Sequence, residues 1–548
     1  MTVEQSTAVN LGDSISSIKR SALRFLSGTA LSRVTGMLRD IVLAYCFGTH
    51  EALAALFVAF RLSHICRRLF GEGALQSAFI PVFEDLRKEE PERAFRFFRD
   101  LSYLLVLFLL GFIGCSMLGL GASMQLFDWS AGNREIHKLM IILMPSLLFI
   151  CLFGLNSSLL QCQKRYFTVG IAPAFFNLIV CAGGLLFHTD SLDPVAAMPY
   201  VALSLVLGCM AQWAVTFLPV LRTLRAALTS GLRDSIKIFS KDVRRLGGPL
   251  ALGLLGVGAS QINNAVDALF ARWADPQGPA QLWYSLRLLQ LPLALFGIAI
   301  SGALLPPLSR SIQAGKKEEY LRFLDFALRR VFALLAPCSI ALYVLGTPLI
   351  NCLYGHGDFQ LHSIITTCGC LHGYAMGLLP MGLIIVLAPA FYAYKDFKRP
   401  AIAAFIALVI NLALNVLFVF GWGMQALSVA LATSISSWIN VIYLYKRLQG
   451  HFGPVNSPEG KKELGKGLLL CIFAGVLTWF FQDLCTTTPS FFHFFTVEQT
   501  ALPSCMIDQI VALAIPGCFF LVALLSLSWL FKANDLLVLF RLKKEVGA

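Results

Sequence analysis

The stretch FRLSHICRRLFGEGALQSAFIPVF, residues 60–83, decides the fold of this chain. It has the apolar character of a membrane-spanning helix, yet it carries Arg61, Arg67, Arg68 and Glu72. A charge near the bilayer centre costs about 2.5 to 3.5 kcal/mol on insertion scales, so these side chains are expected to line a polar cavity. The excess of arginine predicts that the cavity holds an anionic ligand.

A second stretch, LRLLQLPLALFGIAISGALLPPLS, residues 286–309, repeats the pattern of the first. In one constant register the matching features are Arg61 with Arg287, Leu69-Phe70-Gly71 with Leu295-Phe296-Gly297, and Pro81 with Pro307. Both stretches are the second helix of a six-helix half, which predicts a parallel repeat about an axis along the membrane normal. Two such halves around a midplane cavity are typical of a carrier that works by alternating access.

Composition places the whole chain in the membrane. Of 548 residues, 57% are hydrophobic and 14% are charged, and the mean hydropathy is +0.72. Apolar runs of about 20 residues, long enough to cross a bilayer, recur throughout. They predict an all-α polytopic protein with fourteen spans, at residues 21–47, 52–83, 101–127, 139–161, 167–187, 195–221, 246–273, 281–308, 324–353, 363–392, 400–421, 424–445, 465–482 and 508–531.

The loop charges predict the orientation of these spans. Alternate loops are rich in Lys and Arg, whereas the loops of the other side carry only Arg134 and Lys138. By the positive-inside rule, fourteen spans with both termini cytoplasmic keep this alternation. The net charge of +13 is therefore mostly a topology signal and does not point to nucleic acid.

The predicted organisation has four parts. Residues 1–221 form an N-lobe of six helices, residues 222–245 a cytoplasmic linker, residues 246–447 a C-lobe of six helices, and residues 448–548 an accessory pair with a cytoplasmic tail. Cys485 and Cys505 share the predicted external loop of the accessory pair and could form a disulfide.

The first span carries a polar face of its own. At about 100° per residue, Arg33, Gly36 and Asp40 share one side of the helix, while Arg39 points about 100° away from Asp40. Arginine suits a phosphate ligand because its planar fork donates two parallel hydrogen bonds and stays charged. Snorkelling or paired structural charges are the alternative, but the acids are too few to neutralise Arg33, Arg39 and Arg61.

A possible ion site lies in the second half. Asp267 follows Asn263 by four residues in the seventh span, Asn411 and Asn415 have the same spacing in the eleventh, and Thr433 lies in the twelfth. Oxygen ligands from three helices suit Na⁺ or a proton relay, whereas hydrogen bonding between helices is the alternative. The membrane potential, worth about 2.3 kcal/mol per charge per 100 mV, could also drive transport without a coupling cation. No other cofactor is expected.

Several strings of the sequence resemble the MurJ (MviN) family of lipid II flippases. They are LSRVTGMLRDIVLAYCFG from Leu31, ALFVAFRL, RRLFGEGALQSAFIPVF and AFYAYKDFKRP from Ala390. The resemblance implies a two-lobed fold of the MOP exporter type, whose last two helices form a groove for a lipid tail. It also implies cavity residues at Arg33, Arg39, Asp40, Arg67, Glu72 and Arg287.

The chain departs from the family pattern at a few positions. Ala54 and Leu286 stand where the family usually has acids, and Ser63-His64 replaces a usual Pro-Asn. The cavity is therefore expected to be more cationic than the family norm, with Arg61 and Arg68 adding to its charge.

The resemblance implies that the chain flips undecaprenyl-diphosphate-linked peptidoglycan precursor to the outer leaflet of the bacterial inner membrane, as a monomer among membrane lipids. An exporter of other polyprenyl-linked glycans or of drugs is the alternative within the same fold. A membrane-embedded glycan ligase is a third reading, but its catalytic acids or histidines would need sizeable external loops, and these loops are short. A transporter is expected rather than an enzyme.

Overall fold

A computed structural model describes residues 15–63, 65, 74–189, 191–227, 236–238, 240–455, 458–487 and 502–539. Within these ranges every regular element is a helix. A helix satisfies its backbone hydrogen bonds internally, which is what an apolar chain requires in a bilayer that offers no water. The all-α fold class predicted from composition is confirmed.

The helices follow one another through short connections. In chain order they are α1 (Ile15–Phe47), α2 (Glu51–Ser63), α3 (Ala74–Glu89), α4 (Pro91–Leu126), α5 (Ala131–Leu143), α6 (Ser146–Cys162), α7 (Tyr166–Phe187), α8 (Pro194–Ala227), α9 (Lys241–Arg244), α10 (Gly247–Ala274), α11 (Gly278–Pro292), α12 (Ile298–Gln313), α13 (Lys317–Val344), α14 (Gly346–Tyr354), α15 (Leu361–Ala393), α16 (Lys398–Val416), α17 (Leu427–Phe452), α18 (Pro458–Thr487), α19 (Met506–Leu530) and α20 (Asn534–Leu539).

Every predicted span overlaps one of these helices or two consecutive ones. Among the described residues, nine helices are long and apolar enough to cross a membrane alone, and ten do so if the bent pair α5–α6 counts as one span. The count of fourteen therefore stays a prediction. The first, second, seventh and eighth spans are not among the ten, and they are the spans that contain Arg33, Arg61, Asp267 and Arg287.

Two spans are broken where the sequence places proline. Helices α5 and α6 meet at 45°, with Pro145 directly before α6. Helix α11 ends at Pro292 and continues through a π-helical segment, Leu293–Gly297, into α12. Proline removes a backbone donor and favours such breaks, and π-helical turns are frequent at functional sites.

Contacts between Cα atoms divide the chain into two units. Unit 1 contains residues 1–43 and 59–258, and unit 2 contains residues 44–58 and 259–548. Helix α1 thus begins in unit 1, and its last residues, together with most of α2, belong to unit 2. Below, residues 44–58 are called the crossing segment.

The internal packing of the two units follows one pattern. In unit 1, α8 packs on α6 and α7, and α4 packs on α3 and α6. In unit 2, α17 packs on α15 and α16, and α13 packs on α12 and α15. These helices hold corresponding places in the two predicted halves, so the contacts agree with the sequence repeat.

The accessory pair belongs to unit 2. Helices α18 and α19 pack on each other, α18 also packs on α13, and α19 packs on α14. The short α20 is joined to α13 because Arg329 donates from Nε to Asp535 at 2.8 Å and forms a second bond from Nη2. Cys485 is buried and Cys505 is exposed, and both are free, so the disulfide considered from the sequence is not formed.

Candidate functional site

Arg39 and Asp40 form a buried ion pair in unit 1. Arg39 donates from Nε and Nη2 to Oδ1 of Asp40, at 3.0 and 2.7 Å. Its Nη1 donates to Oδ1 of Asn177 at 3.1 Å. The exposed fractions are 7% for Arg39 and 0% for Asp40, so the pair lies away from solvent and lipid alike.

The expectation that Arg39 points away from Asp40 is therefore wrong. The Cβ atoms of neighbouring helical residues do diverge, but the long arginine side chain turns back and reaches the adjacent carboxylate. Removing one partner of a buried pair leaves an uncompensated charge, so the two residues depend on each other. Arg39 is a paired charge in unit 1, and three of its N–H groups are already engaged.

Asn177 is a hydrogen-bond partner of Arg39 that the sequence did not predict. It lies in α7, and its Nδ2 donates to the carbonyl of Ser32 at 3.1 Å and to the hydroxyl of Thr35 at 3.2 Å. A Cβ atom added to Gly36 would lie 3.4 Å from the Nδ2 atom of Asn177, so the two helices approach each other closely here. Asn177 thus joins α7 to α1 at the level of Arg39. The sequence feature that could have identified Asn177 is an amide side chain inside the apolar run AFFNLIV. The same feature led to the prediction of Asn411 and Asn415.

The other predicted cationic residues fall into separate groups. In unit 1, Arg33 is exposed and Arg61 is half-buried. In unit 2, Arg287 is half-buried. The predictions for Arg67, Arg68 and Glu72 lie outside the described residues.

Arg287 is held against an aromatic ring. It lies one turn after Trp283 in α11, and its Cζ is 5.3 Å from the centroid of the indole. Trp283 in turn stacks on Phe57 of the crossing segment, with centroids 4.5 Å apart and planes 10° apart. A guanidinium over an indole is attracted by the negative face of the ring.

The residues of the predicted ion site form a closed hydrogen-bonded ring within unit 2. Asn415 donates to Oδ1 of Asp267 at 3.1 Å and to Oδ1 of Asn411 at 2.9 Å. Asn411 donates to the hydroxyl of Thr433 at 3.3 Å, and Thr433 donates to Oδ2 of Asp267 at 3.3 Å. Asn263 adds a bond to the same Oδ2 at 3.2 Å. The structure thus joins α10, α16 and α17 through all five predicted residues.

The ring contains buried oxygen atoms of the kind that act as cation ligands. The exposed fraction of Asp267 is 4%, and Asn415 is fully buried with an Oδ1 atom that accepts no hydrogen bond within the described residues. Carboxylate, amide and hydroxyl oxygens are the ligands that alkali and alkaline-earth cations prefer. A cation would enter by turning one or two amides so that oxygen replaces N–H, a rotation that keeps the shape of the site. The residues therefore fit a small cation.

A transition-metal centre has no support in the part of the chain that the structure describes. No group of three or more His, Cys, Asp or Glu side chains is placed to hold a metal there.

Two of the positions that depart from the family pattern, Ala54 and Leu286, are packed within unit 2. Ala54 is fully buried in α2. Leu286 packs against the hydrophobic core of unit 2. An acid at either place would be largely desolvated, so these positions have the residues that their environment favours.

Comparison with known proteins decides the family. A sequence profile described as "Lipid II flippase MurJ" matches residues 43–498. The chain belongs to the lipid II flippase MurJ family. Proteins of Chlamydia muridarum and Chlamydia trachomatis named "Probable lipid II flippase MurJ" are each 34% identical to it over 534 residues, which is 96% of both chains. A "Lipid II flippase MurJ" of Burkholderia cenocepacia is 30% identical over 437 residues, 78% of this chain and 84% of the relative.

Solved structures agree with the MurJ family fold. A lipid II flippase MurJ in an inward closed conformation superposes with a TM-score of 0.70 at 23% identity, covering 93% of this chain and 98% of that one. An inward-facing multidrug transporter of the MATE family superposes with a TM-score of 0.61 at 13% identity, covering 78% of this chain and 98% of that one. At these identities the likeness shows the fold alone. The chain is a multi-span membrane protein of bacterial type.

Proposed function

We propose that this MurJ family member flips lipid II, the undecaprenyl-diphosphate-linked peptidoglycan precursor, from the cytoplasmic to the outer leaflet of the bacterial inner membrane. The observation that carries the proposal is the match to flippases of this name along 96% of both chains. The chain is a transporter and not an enzyme. We further propose that it acts as a monomer with both termini in the cytoplasm, as the loop charges predict.

The chemistry of the substrate explains the arginines. A diphosphate presents planar sets of oxygens that a guanidinium binds through two parallel N–H groups. Arg33, Arg61 and Arg287 are the described arginines that we assign to the headgroup. Arg67 and Arg68 are assigned to it from the sequence alone, with Glu72 moderating their charge.

Arg39 and Asp40 have a different proposed role. Their mutual bonds and the bond to Asn177 tie α1 to α7, so the pair fixes the helix that carries Arg33 six residues earlier. We propose that the pair sets the position of the headgroup site and contributes to its positive potential only weakly, because Asp40 balances the charge of Arg39.

The ring around Asp267 is the proposed site of a coupling cation, Na⁺ in preference to a proton. Its support is the set of oxygen atoms and the buried negative charge of Asp267, whose carboxylate accepts hydrogen bonds from the neutral side chains of Asn263, Asn415 and Thr433. When bound, a cation would neutralise that charge and make folding around the ring more favourable. Asp267, Asn411, Asn415 and Thr433 are the residues that would hold it.

The function is tested in vesicles that contain purified protein and lipid II with a fluorescent label on its peptide. Wild type is expected to move the label across the bilayer faster than protein-free vesicles do. Arg33→Ala and Arg287→Ala are expected to slow the movement at least tenfold, since each loses a charged hydrogen-bonding partner worth about 1.5 to 3 kcal/mol. Lys138→Ala, an exposed cation of a predicted outer loop, is the matched control and is expected to match wild type.

Unchanged movement in both arginine variants would overturn the site assignment. A wild type no faster than protein-free vesicles would overturn the proposed function itself.

A further inference from the structure

Each half of the repeat contains a buried carboxylate in its first helix. Asp40 lies in α1 and Asp267 in α10, and one residue more separates Asp40 from Arg61 than separates Asp267 from Arg287. Both carboxylates are buried. A buried carboxylate is costly unless hydrogen bonds or a positive charge compensate it. The repeat therefore places the same chemical requirement in corresponding helices of the two units.

The fifth helix of each half supplies an amide at the same place. Asn177 in α7 and Asn411 in α16 each follow an arginine at the start of the helix by the same number of residues, and both are buried. The Oδ1 atom of Asn177 accepts a hydrogen bond from Arg39, and that of Asn411 accepts one from Asn415. Carboxylate and amide thus come from corresponding helices in the two units.

The units differ in the donor that bridges the carboxylate and the amide. In unit 1 it is the guanidinium of Arg39, which donates to Oδ1 of Asp40 at 3.0 and 2.7 Å and to Oδ1 of Asn177 at 3.1 Å. In unit 2 it is the amide of Asn415, which donates to Oδ1 of Asp267 at 3.1 Å and to the amide oxygen of α16 at 2.9 Å. The first bridge carries a positive charge, and the second is neutral.

The sequence shows that the two donors stand at exchanged positions. The residue before the buried carboxylate is Arg39 in unit 1 and Val266 in unit 2, and the residue one turn after the amide is Cys181 in unit 1 and Asn415 in unit 2. The guanidinium of unit 1 also lies over the ring of Phe176, with its Cζ 5.7 Å from the centroid. An aromatic face attracts an organic cation. Unit 1 is therefore suited to a guanidinium at the place where unit 2 has a neutral bridge.

We propose that Asp40 and Asn177 form a second small-cation site, in unit 1, in which the guanidinium of Arg39 takes the place of the ion. The inference rests on the proposed coupling site, because it takes the ring around Asp267 as the cation site of unit 2. It adds that the positive charge is fixed in unit 1 and exchangeable in unit 2. Wild type therefore binds one alkali cation per chain, and loss of Arg39 opens a site for another.

The contacts around Asn177 keep the site in place when Arg39 is shortened. Its Nδ2 donates to the carbonyl of Ser32 at 3.1 Å and to the hydroxyl of Thr35 at 3.2 Å, so Oδ1 stays on the opposite side of the amide. The Oδ1 atoms of Asp40 and Asn177 then both face the space that the guanidinium leaves. Carboxylate and amide oxygens are ligands for a hard cation, and the buried negative charge attracts one.

The test is equilibrium binding of radioactive sodium to the purified full-length protein in detergent. Wild type is expected to bind about one sodium ion per chain and Asp267→Asn none. Arg39→Val gives unit 1 the residue found in unit 2, and in the Asp267→Asn background it is expected to restore about one ion per chain. Arg39→Lys in the same background keeps a cationic side chain and is the matched control, expected to bind none.

Two further changes separate the site from a general effect of losing an arginine. Asp40→Asn, added to Arg39→Val and Asp267→Asn, is expected to abolish the restored binding, because it removes the negative charge of unit 1. Cys181→Asn, added instead, is expected to tighten sodium binding about three- to tenfold, the effect of one further hydrogen-bonding group. Arg39→Ala is expected to give the same gain if Arg39→Val does not fold.

Three results in the Asp267→Asn background would overturn the inference: no sodium bound after Arg39→Val or Arg39→Ala, the same binding after Asp40→Asn is added, or equal binding with Arg39→Lys. If wild type itself binds no sodium, the proposed coupling site of unit 2 fails instead, and the Asp267→Asn background still tests unit 1.

Discussion

Replacing Asp267 by Asn tests the proposed cation site by its effect on stability. Asp267 is almost fully buried, and it accepts hydrogen bonds from the neutral side chains of Asn263, Asn415 and Thr433. Burying an ionised carboxylate costs several kcal/mol, which a cation in the ring would offset. Asp267→Asn keeps the shape of the side chain and removes the charge. We therefore expect it to abolish the stabilisation by Na⁺ and to leave the fold intact.

The size of the expected effect follows from linkage. A cation that binds only the folded protein stabilises it by about 1.4 kcal/mol at ten times its Kd and by about 2.7 kcal/mol at a hundred times. For a chain of this length, each kcal/mol raises the Tm by less than about 4 °C. A rise of a few degrees between choline and sodium buffers of equal ionic strength is thus expected for wild type.

The assay is thermal unfolding of the purified protein in detergent, with either cation. Asp275→Asn is the matched control, because Asp275 accepts bonds from Gln277 and Gln281 outside the ring. It is expected to keep the sodium-dependent rise that Asp267→Asn loses. The reasoning is refuted if wild type unfolds at the same temperature in both buffers, or if Asp267→Asn keeps the full rise.

Three further predictions concern other parts of the molecule. Gly48→Ala is expected to lower the free energy of unfolding by about 1 to 3 kcal/mol, because φ is +51° and the new Cβ would lie 2.4 Å from the carbonyl oxygen of Asp358. Gly111→Ala is the control, because a Cβ there would meet open space, and it is expected to leave the free energy of unfolding undiminished. Thermal unfolding measures both. Asn177→Ala is expected to cost about 1.5 to 3 kcal/mol and to slow flipping, because Arg39 loses a buried acceptor; equal Tm and rate would contradict this. Arg329→Ala is expected to speed protease cleavage near α20 while changing the Tm little, and unchanged cleavage would show that the bond to Asp535 does not hold α20.

Much of the fold is encoded in local pattern. Long apolar runs predict helices because the bilayer leaves the backbone no other partner, and all fourteen predicted segments carry helix. The ring around Asp267 was also predictable, since amide and carboxylate residues four apart share a helix face and seek partners in an apolar setting.

The details of the arginine sites were not predictable in the same way. The direction of Arg39 depends on a flexible side chain that turns back to Asp40, which helix phase does not describe. The partnership of Phe57 with Trp283 depends on tertiary packing, in which the crossing segment joins unit 2 although its neighbours in sequence belong to unit 1. No feature in the sequence of residues 44–58 predicts that they pack with unit 2.

The most direct test of the central claim is the location of lipid II in living cells. A bacterium depleted of its own flippase would express this chain, and the fraction of lipid II reached by a reagent that cannot cross the inner membrane would be measured. The account predicts that wild type restores access to lipid II in the outer leaflet and that Arg287→Ala, present in the membrane at the same level, does not. Lipid II that stays on the cytoplasmic side while wild type is present in the membrane would contradict it.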